Sequence, residues 1–204
     1  MGNRCELPFF TVGEGIGGNQ EHFSDWWMRI GGCGAVTACD LCIYAANELG
    51  LTALAPVAGA HVEEEDYLAF GMQMKRFLGP RATGIDKTET YIAGFEDYLE
   101  SVGARPFVFS SLSGQEDAET AVQAVKAQID QGLPVPELML LHRDKKLDVY
   151  MWHWFLLTGY EEAGDRFLVK VVSYGREVWM DLRHLWRTGR RRKGGLVLIE
   201  RREE

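Results

Sequence analysis

The sequence predicts an α+β fold in which helices come first and mostly antiparallel strands follow. The first half contains amphipathic runs such as "HVEEEDYLAFGMQMKRFLG" and "DKTETYIAGFEDYLESVGA", with acids early and a glycine late, as suits helix ends and the helix dipole. The second half contains β-rich runs separated by turn residues, among them "VYMWHWFLLTGYE", "DRFLVKVVSYG" and "REVWMDL". Helices and strands in separate blocks favour α+β over a doubly wound sheet.

The chain is predicted to form one domain over residues 1–204, since it shows no repeat, low-complexity segment or linker. Its helical lobe is expected over about residues 19–131 and its sheet lobe over about residues 104–110 and 132–204. An apolar fraction of 46% and a charged fraction of 25% are typical of a soluble globular protein. No apolar run approaches the roughly 20 residues that cross a bilayer, and no signal-peptide pattern is visible. We therefore expect a cytoplasmic protein with reduced thiols and no membrane partner.

The net charge of −8 is unevenly distributed along the chain. Residues 187–204 hold seven Lys and Arg against three Glu, and the stretch "RTGRRRKGG" within them has five cations and no acid. This stretch is suited to contact phosphates or an acidic partner, although a solvated loop between two elements is the simpler interpretation. The acidic remainder argues against general nucleic-acid binding. No cluster of His, Asp and Glu has metal-ligand spacing, so we predict neither a metal nor a cofactor.

Three of the four cysteines lie in the segment "IGGCGAVTACDLCIYAANELG", at Cys33, Cys39 and Cys42. A zinc ribbon needs a second Cys-x-x-Cys pair, which the chain lacks. Cys39 and Cys42 have the spacing of a redox motif, but they fall inside a predicted helix rather than at its start. Both are therefore predicted to be buried packing residues, with a metal or redox protein as the alternative.

Cys33 differs from its two neighbours because it stands where the predicted helix begins. Gly31 and Gly32 allow a tight turn before it, and free N–H groups with the positive end of the helix dipole lower the pKa of a thiol there. The same N–H groups are suited to hold an oxyanion. His153 lies far downstream in the strand-like run "MWHWFLLTGYEE". A cysteine and a histidine on separate lobes, joined only by folding, are what a thiol hydrolase requires.

Four segments in order resemble a papain-fold cysteine peptidase, closest to the double-glycine (bacteriocin-processing) peptidase-like group. They are "GGCGAVTACDLCIYAA", "IDQGLPVPELMLLH", "HWFLLTGYEE" and "DRFLVKVVSYG", which bracket roughly residues 19–181. The resemblance implies a papain-like fold, with the nucleophile helix of an N-terminal helical lobe packed on a C-terminal antiparallel sheet. It also implies that Cys33 is the nucleophile, that His153 is its base and that the substrate is a peptide or another amide.

The chain departs from that family where an Asn or Asp orients the histidine. The equivalent stretch reads Val172-Ser173-Tyr174-Gly175, which has no carboxamide or carboxylate. We predict that Ser173 orients the imidazole, more weakly than a carboxylate would. Asp181 is the alternative, although a strand end or helix cap before "LRHLW" explains it more simply.

A second departure concerns the glutamine that papain-like enzymes set about six residues before the cysteine. Position 27 is Trp, and the nearest carboxamides are Asn19 and Gln20, just after a glycine-rich turn. We predict that Gln20 supplies the oxyanion donor if "EHFSDWWMRI" folds as a short helix between them. A polar loop residue is the alternative for Gln20.

These observations together predict a cysteine hydrolase that cleaves a peptide or other amide bond through a Cys33 thiolate and His153. The same pair also supports acyl transfer to an amine. A papain-fold binding module that has lost catalysis is the chief alternative, because the orienting carboxylate is missing. The sequence predicts neither the substrate nor the oligomeric state.

Overall fold

A computed structural model describes residues 2–81 and 84–202, and the α+β prediction is confirmed. The predicted domain of residues 1–204 thus includes five residues outside the described ranges. The helices are α1 (Trp26–Gly31), α2 (Cys33–Glu48), α3 (Glu64–Leu78), α4 (Thr88–Ser101), α5 (Ala118–Asp130) and α6 (Leu182–Trp186). The strands are β1 (Arg4–Glu6), β2 (Thr11–Val12), β3 (Gly15–Ile16), β4 (His61–Val62), β5 (Phe107–Ser113), β6 (Val135–Met139), β7 (His153–Ala163), β8 (Arg166–Ser173), β9 (Arg176–Asp181) and β10 (Gly194–Arg201). Short 3-10 turns cover Gln20–His22, Thr52–Leu54 and Lys145–Tyr150.

The main sheet has the strand order β5-β10-β6-β7-β8-β9, and all neighbouring strands are antiparallel. Strand β1 pairs with the second half of β7, beyond the part that pairs with β6. A small separate sheet has the order β3-β2-β4, in which β2 and β4 are parallel. Strand β7 is therefore central, and its first residue is His153.

The main sheet is packed by helices on both faces. Because side chains alternate along a strand, neighbouring residues of β7 enter different cores. Trp154 packs with α2, α3 and α4, and Phe155 packs with α5 and α6. Helix α2, which begins at Cys33, therefore packs on the face of the sheet that includes Trp154.

Helix α2 is buried along most of its length, from Cys33 to Ala46. A helix that is buried on all sides is expected at the centre of a domain. Within the described ranges, no helix is long and apolar enough to span a bilayer. Its start is fixed by Gly32, which also ends α1: a Cβ there would lie 2.4 Å from the Met28 carbonyl oxygen. The end of α1 therefore requires glycine at this position, and Cys33 begins α2 directly after it.

Glu137 on β6 is an unusual core residue, since it is only 2% exposed. Its neighbours across the sheet are Phe155 and Leu196, and its Oε2 atom has no hydrogen-bond partner among the residues that the structure describes. Burial raises the pKa of this carboxyl to about 8. The folded protein therefore holds Glu137 protonated at neutral pH.

We predict that Glu137→Gln becomes more stabilising, relative to the natural chain, as pH rises from 5 to 8. Between its ordinary pKa of 4.5 and about 8, the Glu137 carboxyl binds more protons in the folded state than in the unfolded state. Stability therefore falls across this window, and the amide removes that loss. One pKa unit corresponds to about 1.4 kcal/mol, so we expect a gain of about 1–4 kcal/mol. Urea unfolding at several pH values measures it.

The exposed Glu65→Gln is the matched control, because the same chemical change there should give a small difference at every pH. A Glu137→Gln difference that does not vary with pH would contradict a buried, protonated carboxyl.

Candidate active site

All four residues predicted for the site line one small cavity between the start of α2 and the ends of β7 and β8. Cys33 is the first residue of α2, His153 is the first of β7, and Ser173 is the last of β8. Gln20 begins the 3-10 turn Gln20–His22. We call this space the site cavity.

The imidazole of His153 is held in the site cavity by Ser173. Ser173 Oγ lies 2.7 Å from Nε2, and His153 is 4% exposed. Burial lowers the pKa of the imidazole to about 4, so the ring is neutral at pH 7. Asp181, the alternative orienting residue, instead caps α6 by accepting from the N–H groups of Arg183 and His184.

Tyr174 also contacts the imidazole, and the sequence did not indicate this. Its ring stacks on His153 with centroids 4.4 Å apart and planes 5° from parallel, and its hydroxyl oxygen lies 3.3 Å from Nδ1. Because the two planes are nearly parallel, that oxygen lies over the face of the imidazole and not in its plane. A hydrogen bond to Nδ1 must lie near the ring plane. Among the described residues, Nδ1 therefore has no in-plane partner.

Cys33 is 8% exposed, and its sulfur faces backbone donors. The N–H groups of Trp154, Gly34 and Cys33 act to lower its pKa, in the direction predicted for a helix start. Burial has the larger effect, so the pKa is raised and the prediction of a lowered value is wrong for the free protein. No hydrogen bond joins Cys33 and His153 in the described part of the chain. At rest the site holds a neutral thiol and a neutral imidazole.

Gln20 reaches the site cavity because α1 folds back between it and Cys33. Its side chain is buried, and Nε2 donates to the carbonyl oxygen of Arg29 at 3.1 Å. An amide nitrogen carries two hydrogens, so one N–H of Gln20 remains after this bond. Asn19, the other carboxamide considered, accepts from the Glu21 N–H and caps the 3-10 turn.

Asp40 lines the same cavity and was missed by the sequence analysis. It lies two turns after Cys33 on α2, and its carboxyl oxygens accept from the Gly18 N–H at 3.0 and 3.2 Å. The hydroxyl of Tyr67 lies 2.6 Å from Oδ1, and burial raises the pKa of Asp40 to about 7. The available signal was an acid in the otherwise uncharged stretch from Cys33 to Asn47. Asp40 holds the glycine-rich loop that leads to Gln20.

An open groove of about 430 Å³ reaches Cys33 from the side of α1. We call it the apolar groove. Its lining is Trp27, Ile30, Gly31, Cys33, Pro80, Arg81, Gly84, Ile85, Leu140 and Trp152. Among the tryptophans near the site, Trp27 and Trp152 line this groove, and Trp26 packs edge-on against Trp27. Trp154 is buried and donates to the Ile85 carbonyl oxygen.

A second groove of about 610 Å³ opens on the other side of the site cavity. We call it the polar groove, because its lining includes Glu14, Glu21 and Arg176. The site cavity shares Cys33 with the apolar groove, and it shares Ser173 and Tyr174 with the polar groove. The thiol and the imidazole therefore lie where the two grooves approach each other.

No protein-family model matches this sequence, and no curated protein gives a significant match to it. The resemblance to papain-fold peptidases therefore depends on the motifs themselves. Within the described ranges, no group of three His, Cys, Asp or Glu side chains is placed to hold a metal ion.

Cys39 and Cys42 are fully buried free thiols within α2, as the sequence predicts for packing residues. We expect iodoacetamide to label Cys5 and Cys33 in the folded protein at pH 8.5, and to label Cys39 and Cys42 only after unfolding. Burial raises both of their pKa values well above the usual range and excludes the reagent. Fragmentation mass spectrometry assigns each adduct, and labelling in 8 M urea is the control. Labelling of Cys39 in the folded protein as fast as Cys33 would contradict this packing.

Proposed function

We propose that this protein is a papain-like cysteine hydrolase that cleaves a peptide or other amide bond. One observation carries the proposal: a thiol at the start of a buried helix and an imidazole anchored through Nε2 line the same cavity. The packing of α2 against the face of an antiparallel sheet is consistent with the papain-like arrangement.

The imidazole geometry assigns a role to each ring nitrogen. In the tautomer that the mechanism requires, Nε2–H donates to Ser173 Oγ at 2.7 Å, and the lone pair of Nδ1 is left to act as the base. As the Cys33 sulfur attacks the carbonyl carbon, its proton moves to Nδ1, so that the S–H bond breaks and an N–H bond forms. Proton transfer accompanies substrate binding, because burial disfavours a thiolate–imidazolium pair at rest.

The remaining steps use the same groups. The Cys33 N–H and the free N–H of Gln20 donate to the oxyanion, and a donor of this kind typically contributes about 3 kcal/mol. The Nδ1 proton then passes to the leaving amine, which gives an acyl thioester on Cys33. His153 finally takes a proton from water as the water oxygen attacks the thioester carbonyl. The C–S bond then breaks, the carboxylic acid leaves, and the proton passes from Nδ1 to the sulfur to regenerate the thiol.

Two other functions are favoured by specific observations. The polar groove beside Ser173 and Tyr174 offers space for an amine, so acyl transfer from the thioester is the second candidate. The raised pKa of Cys33 and the missing Cys33–His153 hydrogen bond favour an inactive binding module. Reactivity of the thiol distinguishes this module from both enzymes.

We predict that His153→Ala slows acylation of Cys33 by a p-nitrophenyl ester at pH 7 by at least about a hundredfold, the usual contribution of a general base. The rate in the natural site should fall only as pH drops through about 4, because the base form of His153 is lost there. Intact mass of the acyl adduct measures the rate, in a Cys5→Ser background that removes the half-buried thiol. Cys33→Ser is the control for the site of acylation. An unchanged rate in His153→Ala would favour the binding module.

We also predict different effects for the two residues considered as histidine partners. Ser173→Ala should slow acylation by about threefold to tenfold, the usual effect of one neutral hydrogen bond. Asp181→Asn should change it less than twofold, because asparagine caps a helix as well as aspartate does. The same ester assay measures both variants. A larger loss in Asp181→Asn than in Ser173→Ala would contradict the assigned roles.

A further inference from the structure

We infer that Tyr174 is a positioning residue whose ring replaces, by stacking, the orienting carboxamide or carboxylate that the site lacks. The inference rests on the proposed function, because Tyr174 acts through His153. Tyr174 is then a second group, besides Ser173, that holds the imidazole, and it stabilises the protonated form of the ring.

The backbone conformation at Tyr174 does not favour a tyrosine at this position of the turn. Tyr174 and Gly175 form a two-residue hairpin between β8 and β9, closed by the pair Ser173 and Arg176. Both turn residues have positive φ, 52° and 69°, which is the geometry that favours Asn-Gly or Asp-Gly. A bulky aromatic residue at positive φ is uncommon and strained. The strain is compensated by the contact that this backbone provides.

That contact is the stack on His153. Ser173 contacts the ring at one atom, Nε2, and this contact alone does not set the plane of the ring. The parallel phenol ring fixes the plane of the imidazole, so that the Nδ1 lone pair keeps one direction. When Nδ1 accepts the Cys33 proton, the imidazolium lies over the negative face of the phenol, a favourable cation–π arrangement.

The surrounding titratable groups leave the phenol neutral. Burial raises the pKa of Tyr174 to about 12, and Cys33 from α2, Glu21 from the first 3-10 turn and Tyr150 from the turn before β7 act in the same direction. The phenol therefore keeps its proton at neutral pH. Its hydroxyl lies over Nδ1 and not in the imidazole plane. We assign the effect to the ring face and not to the hydroxyl.

The test compares Tyr174→Phe with Tyr174→Leu in the Cys5→Ser background. Both variants keep the same backbone strain, and both keep an apolar cover on His153, but only phenylalanine keeps an aromatic face. We expect acylation of Cys33 in Tyr174→Phe to stay within about twofold of the natural site. In Tyr174→Leu it should be about threefold to thirtyfold slower, the range that a cation–π contact of this kind provides.

A spectroscopic measurement separates this role from a purely structural one. The His153 pKa, followed by ¹⁵N NMR of the imidazole, should fall further in Tyr174→Leu and stay unchanged in Tyr174→Phe. Urea unfolding of each variant checks that the fold is retained. Should Tyr174→Leu fail to fold, Tyr174→Met provides the same loss of the aromatic face.

Two results would overturn the inference while the proposed function stands: Tyr174→Leu as fast as the natural site, or Tyr174→Phe as slow as Tyr174→Leu, with His153→Ala still slow. The second result would assign the effect to the hydroxyl. A His153→Ala variant as fast as the natural site would instead overturn the proposed function, and the inference with it.

Discussion

The buried carboxyl of Asp40 is the interaction on which the rest of the site depends. It ties helix α2 to Gly18 by hydrogen bonds from the backbone N–H. The carbonyl oxygen of Gly18 in turn accepts from the N–H of Gly175, next to Tyr174. One chain of contacts therefore connects the helix that carries the thiol, the loop that carries Gln20 and the hairpin that holds the imidazole. A Cβ on Gly18 would lie 1.9 Å from the Tyr67 hydroxyl, so only glycine allows this approach.

Burial also sets the electrostatics of the site, against the effect of the helix start. The free N–H groups at the start of α2 favour a thiolate, but the sulfur lies against the sheet, where its contact with water is reduced. Burial likewise lowers the pKa of His153 to about 4. Both groups are therefore neutral at rest, and each pKa unit between them adds about 1.4 kcal/mol to forming the ion pair. In the proposed mechanism, the developing charge of the substrate next to Gln20 and Nδ1 offsets that cost.

The sequence predicted those features that local patterns encode. Helix periodicity placed α2, and the glycine pair before Cys33 placed its start to within a residue. Motif order was enough to identify Cys33, His153 and Ser173, and Gln20 was identified as a carboxamide just after the glycine-rich turn. All four line one cavity. Strands β1 to β4 were not predicted, because each has only two or three residues and is defined by pairing with distant segments.

The features that the sequence analysis missed depend on tertiary contacts. The role of Asp40 depends on a loop more than twenty residues earlier in the chain. The pKa of Cys33 depends on how closely β7 covers the helix start, which no local pattern reports. Tyr174 belongs to the motif that lacks Asn or Asp, but its stack on His153 follows from the hairpin geometry. Local patterns therefore nominate reactive residues better than they predict the environment of those residues.

Two residues depart from the usual preferences of their local environment. Comparing them separates an unfavourable feature that contacts the site from one that does not. Glu137 places a carboxyl oxygen without a partner in the core on the α5 and α6 face, and protonation is the compensation available to it. Tyr174 places an aromatic residue at positive φ, and its compensation is a contact with the group proposed as the catalytic base. Violations of local preference are expected at functional sites, where a contact with the reacting groups offsets the strain. Tyr174 meets that condition and Glu137 does not, so we attribute a functional role to the tyrosine alone.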